Sequence, residues 1–247
     1  MSKSYFLSSL AFEVLVCSQC EKEIFLPGEG DIEKANDGDI IIGMHKMVES
    51  GALTATEDSG FDISPEFAPI VRSIINAKLI VKAMSSVRAY PVYYYISNDG
   101  AAFIESAENR KKTYRVGSVS NPELAELIHG NMELPSEDEF LQENIETFQE
   151  IIMSRGYDDS SEKSVLGITV STPVEEAMQN EDVLCIIDIF SAESGEPYSR
   201  WIIYRLSLLE KTAVISPEKT EETAIYSHAS FIDRISSLLE GITDDNS

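Results

Sequence analysis

Residues 91–105 contain a hairpin pattern that restricts the fold more than anything else in the chain. Pro91-Val-Tyr-Tyr-Tyr-Ile96 and Ala101-Ala-Phe-Ile-Glu105 are two apolar runs separated by Asn98-Asp99-Gly100. Asp-Gly readily takes the positive φ that tight hairpin turns demand, so the spacing predicts two antiparallel strands. A third strand is expected from Thr113 to Val119, completing a meander. Between them lies Arg110-Lys111-Lys112, the only dense basic spot in the sequence. It reads as a solvated loop or a guard on an edge strand. Asn121-Pro122 then opens a short helix, Glu123 to His129, closed by Gly130.

The residues before this meander read as helices and one short extended pair. An amphipathic N-terminal helix carries Phe6, Leu7, Leu10, Ala11, Val14 and Leu15 on one face and ends near Cys20. A second runs from Gly38 through Leu53, with Ile41, Met44, His45, Val48 and Leu53 in helical period and Gly51 ending it. Asp58-Ser59-Gly60 supplies a turn between short strands, and Ser64-Pro65-Glu66 opens a helix expected from Phe67 to Met84. Helix, two-stranded wing and helix give a winged-helix-like outline. The wing holds Glu57 and Asp58 and no Arg or Lys, the opposite of what a DNA-reading wing needs.

A similar order of elements returns after residue 130. Ser136 and Glu139 form a capping box ahead of a helix from Phe140 to Arg155. A polar loop, Tyr157 to Lys163, a strand, Val165 to Val170, and a short helix, Pro173 to Gln179, follow. Asp182 to Phe190, Arg200 to Leu206 and Lys211 to Ile215 read as three strands, with a turn at Ser194-Gly195. The last helix, within Glu221 to Gly241, places Phe231, Ile232, Ile235, Leu238 and Leu239 on one face. The expectation is an α+β protein of two pseudo-twofold halves, 1–130 and 131–247, packed as one unit. Each half would be a three-stranded antiparallel meander flanked by helices.

Charge narrows the partners. The 43 Asp and Glu outnumber 19 Lys and Arg, a formal net charge of −24, which repels phosphate backbones and anionic membranes. Nucleic acid and membrane insertion are therefore not expected. Ten acids against Arg155 alone fall between Glu133 and Glu162. The apolar start of the chain is broken by Ser8, Ser9 and Glu13 and lacks a small-residue cleavage site, so a cytoplasmic protein is expected. Cys17, Cys20 and Cys185 are too few for a disulfide framework. Cys17-Ser-Gln-Cys20 has the spacing of a metal or redox pair but sits at a helix end, where packed thiols are the simpler reading. No nucleophile elbow, phosphate-cradling loop or GxGxxG occurs. Asp62, Asp188 and the three histidines, His45, His129 and His228, fall at ordinary positions. The chain is expected not to be an enzyme, with no catalytic residue, no cofactor and no metal.

The stretch IIGMHKMVESGALTATEDSGFDISPEFAPIVRSIINA, followed by PVYYYISNDGAAFIE and later NPELAELIHG, resembles the EspG family of type VII (ESX) secretion chaperones. The likeness in residues runs from about Ile40 to Gly130, and in the order of elements over the whole chain. It implies a cytosolic, pseudo-twofold protein that binds a helical secreted protein or toxin and keeps it soluble. Actinobacterial members of the family bind PE–PPE pairs. The Lys-, Ile- and Glu-rich composition points to Gram-positive bacteria without those substrates, hence to an LXG-type toxin or its small helical partner. An immunity protein that neutralises a co-encoded toxin is the alternative, and a weak homodimer is compatible with either.

Candidate contact residues follow from this. Tyrosine offers apolar area with a wet hydroxyl, so Tyr93 and Tyr95 are candidates if Val92, Tyr94 and Ile96 face the core. Phe103 belongs to the same hairpin, and Trp201, Ile203 and Tyr204 raise the same question in the second half. The family grips its client with a strand-connecting loop and with helices near the C-terminus, which implies Asn98, Asp99 and Phe231. The Asn98–Gly100 turn is shorter than the family's loop.

Overall fold

The structure is a computed structural model that describes residues 4–19, 37–57, 60–107, 112–134, 164–165, 168–169, 183–206, 212–217 and 224–244. Its apolar start splits into a strand, β1 (Ser4–Ser8), and a helix, α1 (Ser9–Ser18). A single helix through Phe6 and Leu7 is thus corrected. Tyr5 and Leu7 are buried while Phe6 is exposed, the alternation of a strand with one face on the core. In α1 the buried residues are Ala11, Phe12, Glu13, Leu15 and Val16, and Leu10 and Val14 are only half-buried.

Helix α2 (Asp37–Glu49) begins with Asp37 and Asp39, which suit the positive end of its dipole. It ends before Gly51, whose φ is +77°. Its buried face is Gly43 and Met47, whereas Ile41, Ile42 and His45 are exposed. The expected face is rotated because Gly43 meets α1: a Cβ there would lie 2.5 Å from the Cβ of Ala11. Leu53 belongs to β2 (Leu53–Ala55), which pairs with β3 (Phe61–Ile63). Asp58 and Ser59 lie outside the described residues. The Ser64 hydroxyl donates to the carbonyl of Gly51 at 2.8 Å, tying the end of α2 to the entry of α3 (Ala68–Ile75).

The helix expected to reach Met84 stops at Ile75. Leu79–Ser85 is instead strand β4, with β-branched Ile80 and Val81 buried. The meander follows as anticipated: β5 (Val92–Ser97), β6 (Gly100–Ser106) and β7 (Thr113–Val119). At the hairpin the positive φ falls on Gly100, at +145°, and not on Asp99. Helix α4 (Asn121–Asn131) continues through Gly130. Two short strands, β8 (Ser164–Val165) and β9 (Ile168–Thr169), pair with each other where one strand was expected. The helices expected at Phe140–Arg155 and Pro173–Gln179, and the loop between Tyr157 and Lys163, lie outside the described residues.

Strands β10 (Val183–Ser191), β11 (Pro197–Leu206) and β12 (Thr212–Pro217) match the second predicted meander, and β13 (Ala224–Ile225) adds a fourth strand before helix α5 (His228–Asp244). One nine-stranded sheet results, in the order β1-β7-β6-β5-β4-β10-β11-β12-β13. Every neighbouring pair is antiparallel. Its two meanders, β4 to β7 and β10 to β13, meet through their first strands, from Leu79 opposite Ser191 to Ser85 opposite Cys185. No described helix is long and apolar enough to cross a membrane.

Helices cover this sheet on two sides. On one face Val81, Tyr94, Phe103, Ile187 and Trp201 pack with Leu124 and Ile128 of α4 and Phe231 and Ile235 of α5. On the other, Leu7, Ile80, Tyr93, Tyr95 and Ile104 pack with Phe12 of α1, Met47 of α2 and Ile70 and Ile74 of α3. Each fully buried large apolar side chain stabilises the fold by about 1.5–3 kcal/mol.

The Gly43 contact generates a test. Gly43→Ala should gain up to about 1 kcal/mol of helix propensity yet lose stability overall, by about 1–3 kcal/mol from overpacking. The obstacle is the Cβ of Ala11, which cannot rotate away. Urea unfolding of the two proteins measures this, and an unchanged or higher midpoint would refute the close approach of α1 and α2.

Candidate functional site

Most of the aromatic residues expected on a docking face lie in the core. Tyr93 is 9% exposed, Phe103 and Trp201 6%, and Tyr95, Ile203 and Phe231 0%. This corrects their reading as contact residues. Strand β5 is internal to a sheet covered on both sides, so all six of its residues are buried. Its uninterrupted run of apolar residues, rather than strict alternation, carried that signal. Tyr204 stands opposite Val214 in the β11–β12 ladder. Among the candidates whose side chains are described, Asn98 and Asp99 are the two that are exposed.

These two residues form one of two tips at the same end of the sheet. The N–H of Lys78 donates to the carbonyl of Ile96 at 2.8 Å, and the carbonyl of Lys78 accepts from the N–H of Ala192 at 2.9 Å. Lys78 therefore holds the end of β5 on one side and the β10–β11 turn on the other. With strands about 4.8 Å apart, the centres of the two tips lie roughly 14 Å from each other. The Asn98–Asp99 tip is fixed by the Ser97 hydroxyl, which donates to the carbonyl of Gly100 at 2.8 Å, and by Asn121 Nδ2, which donates to the carbonyl of Ser97 at 3.2 Å. The second tip is fixed by backbone bonds from Ser191 to Glu196 (3.0 Å) and from Gly195 to Ser191 (2.9 Å). Gly195 takes φ +68° there.

The rim made by the two tips bears Asp99, Glu193 and Glu196, all exposed, and beside them Tyr198 at 59% exposure. Exposed carboxylates and an exposed aromatic ring at one end of a sheet suit a partner surface that is basic and partly apolar. Glu193, Glu196 and Tyr198 escaped the sequence reading. The Ser194-Gly195 turn was recognisable, but its nearness to Asn98 depends on the pairing of β4 with β10.

Acids inside the protein are partnered. Glu105 pairs with both Arg88 and Arg115, and the Arg115 guanidinium lies 5.1 Å from the centre of the Phe103 ring. Arg88 also donates to the carbonyl of Asn131 at 3.1 Å, and Asn131 Nδ2 donates to the Tyr94 hydroxyl at 2.9 Å. On the opposite face Asp188 accepts from Arg200 Nε at 2.5 Å, so it is an ion-paired core residue. Leaving either acid alone at such a depth is far costlier than keeping the pair. Among the described residues Glu13 pairs with no cation; it accepts from the Tyr114 hydroxyl at 2.6 Å. Burial raises its pKa, and the Tyr114 bond offsets this in part.

Two histidines expected to be separate come together. His129 of α4 and His228 of α5 have ring centres 4.4 Å apart, and His228 Nε2 is 3.2 Å from an oxygen of Glu126. The two described cysteines do not converge in this way. Cys17 is exposed at the end of α1, and Cys185 is buried on the face that α4 and α5 cover, where burial raises its thiol pKa. Cys20 lies outside the described residues. No protein-family model matches the chain, and no curated protein does.

Glu13 yields a pH prediction. A carboxyl whose folded pKa is raised favours folding when protonated, and that contribution is lost as pH rises through the folded pKa. Glu13→Gln should therefore be more stable than the parent near pH 7, with the gap closing below about pH 4. Urea midpoints at both pH values decide it. A variant less stable at neutral pH, or a gap independent of pH, contradicts this account of Glu13.

Proposed function

We propose that this protein is a cytoplasmic chaperone or adaptor, not an enzyme, that holds the helical part of a type VII secretion client and keeps it soluble. One observation carries the reading. Asn98 and Asp99, at the loop where the EspG resemblance implies the client is gripped, are exposed on a rim with Tyr198, Glu193 and Glu196. The grip is then the end of the sheet, with the tyrosine and tryptophan rows serving as its rigid backing. In this reading the two four-stranded meanders are pseudo-twofold copies about the β4–β10 seam. The halves on either side of residue 130 act as one platform, and the α2–wing–α3 segment buttresses it. The acidic rim selects a basic stretch of client helix, and the net charge of −24 keeps the complex in solution.

The test is binding of the full-length chain to two fragments of a co-encoded LXG-type toxin, its helical targeting region and its toxic domain. The targeting region should bind, and Asp99→Lys and Tyr198→Ala should each weaken binding by about tenfold, the effect of a residue worth roughly 1.4 kcal/mol. Both positions are exposed, so circular dichroism should be unchanged. Capture of the toxic domain alone would establish the immunity alternative. Rim variants that bind like the parent would remove the rim from the contact.

A further inference from the structure

Glu126, His129 and His228 are gathered from two helices that are far apart in sequence. Glu126 and His129 occupy positions i and i+3 of α4, so both project from the same side of it. His228 is the first residue of α5, 102 positions from Glu126. One donor atom from each of the three lies within 4.8 Å of the others. Two of the chain's three histidines are committed to this one spot.

The arrangement has the features of a prepared site. His129 is 7% exposed. Tyr226 is stacked on it at 6.4 Å and 14°, and Phe231 lies 6.0 Å away. These rings border the imidazole inside the fold. Access is from outside, since the side chain of His228 is 29% exposed and that of Glu126 60%.

We propose that Glu126, His129 and His228 bind a divalent transition metal of the zinc type, clamping α5 to α4. Two imidazoles and one carboxylate are a nitrogen-rich donor set that suits zinc, whereas calcium and magnesium take oxygen. Donors around a tetrahedral zinc stand roughly 3.3 Å apart. The His228–Glu126 spacing of 3.2 Å already matches. The remaining separations, at most 4.8 Å, close with side-chain shifts of at most about 1.5 Å. The consequence is mechanical: the metal joins the helix that follows the first meander to the helix that follows the second. The inference stands apart from the client reading, because its measurements involve no client.

The test uses the full-length chain, stripped with chelator, then titrated with Zn2+ by calorimetry and with Co2+ by absorption. Other donors, including Cys17, Cys20, His45 and many surface carboxylates, can hold metal weakly, so the reading is a difference between proteins. The parent should bind one Zn2+ more tightly than Glu126→Gln and His228→Gln by at least about tenfold. It should also show the intense visible bands of four-coordinate Co2+ and melt higher with Zn2+, and both effects should vanish in the variants. Glu126→Gln changes an exposed side chain, so its fold is secure even if His129→Gln misfolds. Equal Zn2+ affinity in the parent and Glu126→Gln, or Co2+ bands that survive in His228→Gln, would overturn the proposal.

Discussion

The antiparallel pairing of β4 with β10 is the contact on which the architecture rests. Each of these strands begins a four-stranded meander, and each has its other edge occupied by its own hairpin partner. Joining them satisfies the backbone groups that would otherwise face outward along both strands. It also turns two small sheets, each with a free edge at its first strand, into one sheet of nine. The continuous surface is broad enough for α4 and α5 to cover one face while α1, α2 and α3 cover the other.

Burial on both faces decides where aromatic and charged residues go. Strand β5 has no solvent side, so its three tyrosines are absorbed into two cores: Tyr94 beneath α4, and Tyr93 and Tyr95 beneath the N-terminal helices. The polar groups that enter the sheet are matched from neighbouring strands and loops. Arg115 faces Glu105 directly across the β6–β7 ladder, and Arg200 faces Asp188 across β10–β11. The consequence is displacement: with its faces occupied, this sheet leaves exposed its end, where Lys78 aligns the two hairpin tips.

The hairpin around Asn98–Gly100, the third strand of its meander, the strands of the second meander and the final helix were all legible, because each is declared by local pattern and turn chemistry. Residues 79–85 were not. LIVKAMS is short and apolar, continues a helical stretch, and contains Lys and Ala at positions that suit a helix. A run of that length does not discriminate helix from buried strand by period. The rotated face of α2 escaped for a similar reason. The apolar residues Ile41 and Ile42 suggest a buried stripe, but what touches α1 is Gly43, where the absence of a side chain permits the approach.

The sequence by itself determined the α+β class, most strand and turn positions, and a strongly acidic net charge, since these depend on nearest neighbours or on totals. Tertiary structure alone decided that Leu79–Ser85 is a strand and that Tyr93, Tyr95 and Trp201 are interior. It alone set Asn98 at the same end of the sheet as Glu193, and His129 beside His228 with Glu126. The last two are relations between segments separated by about a hundred residues. Such relations follow from which edges pair and which faces are covered, and no local pattern of side chains encodes that.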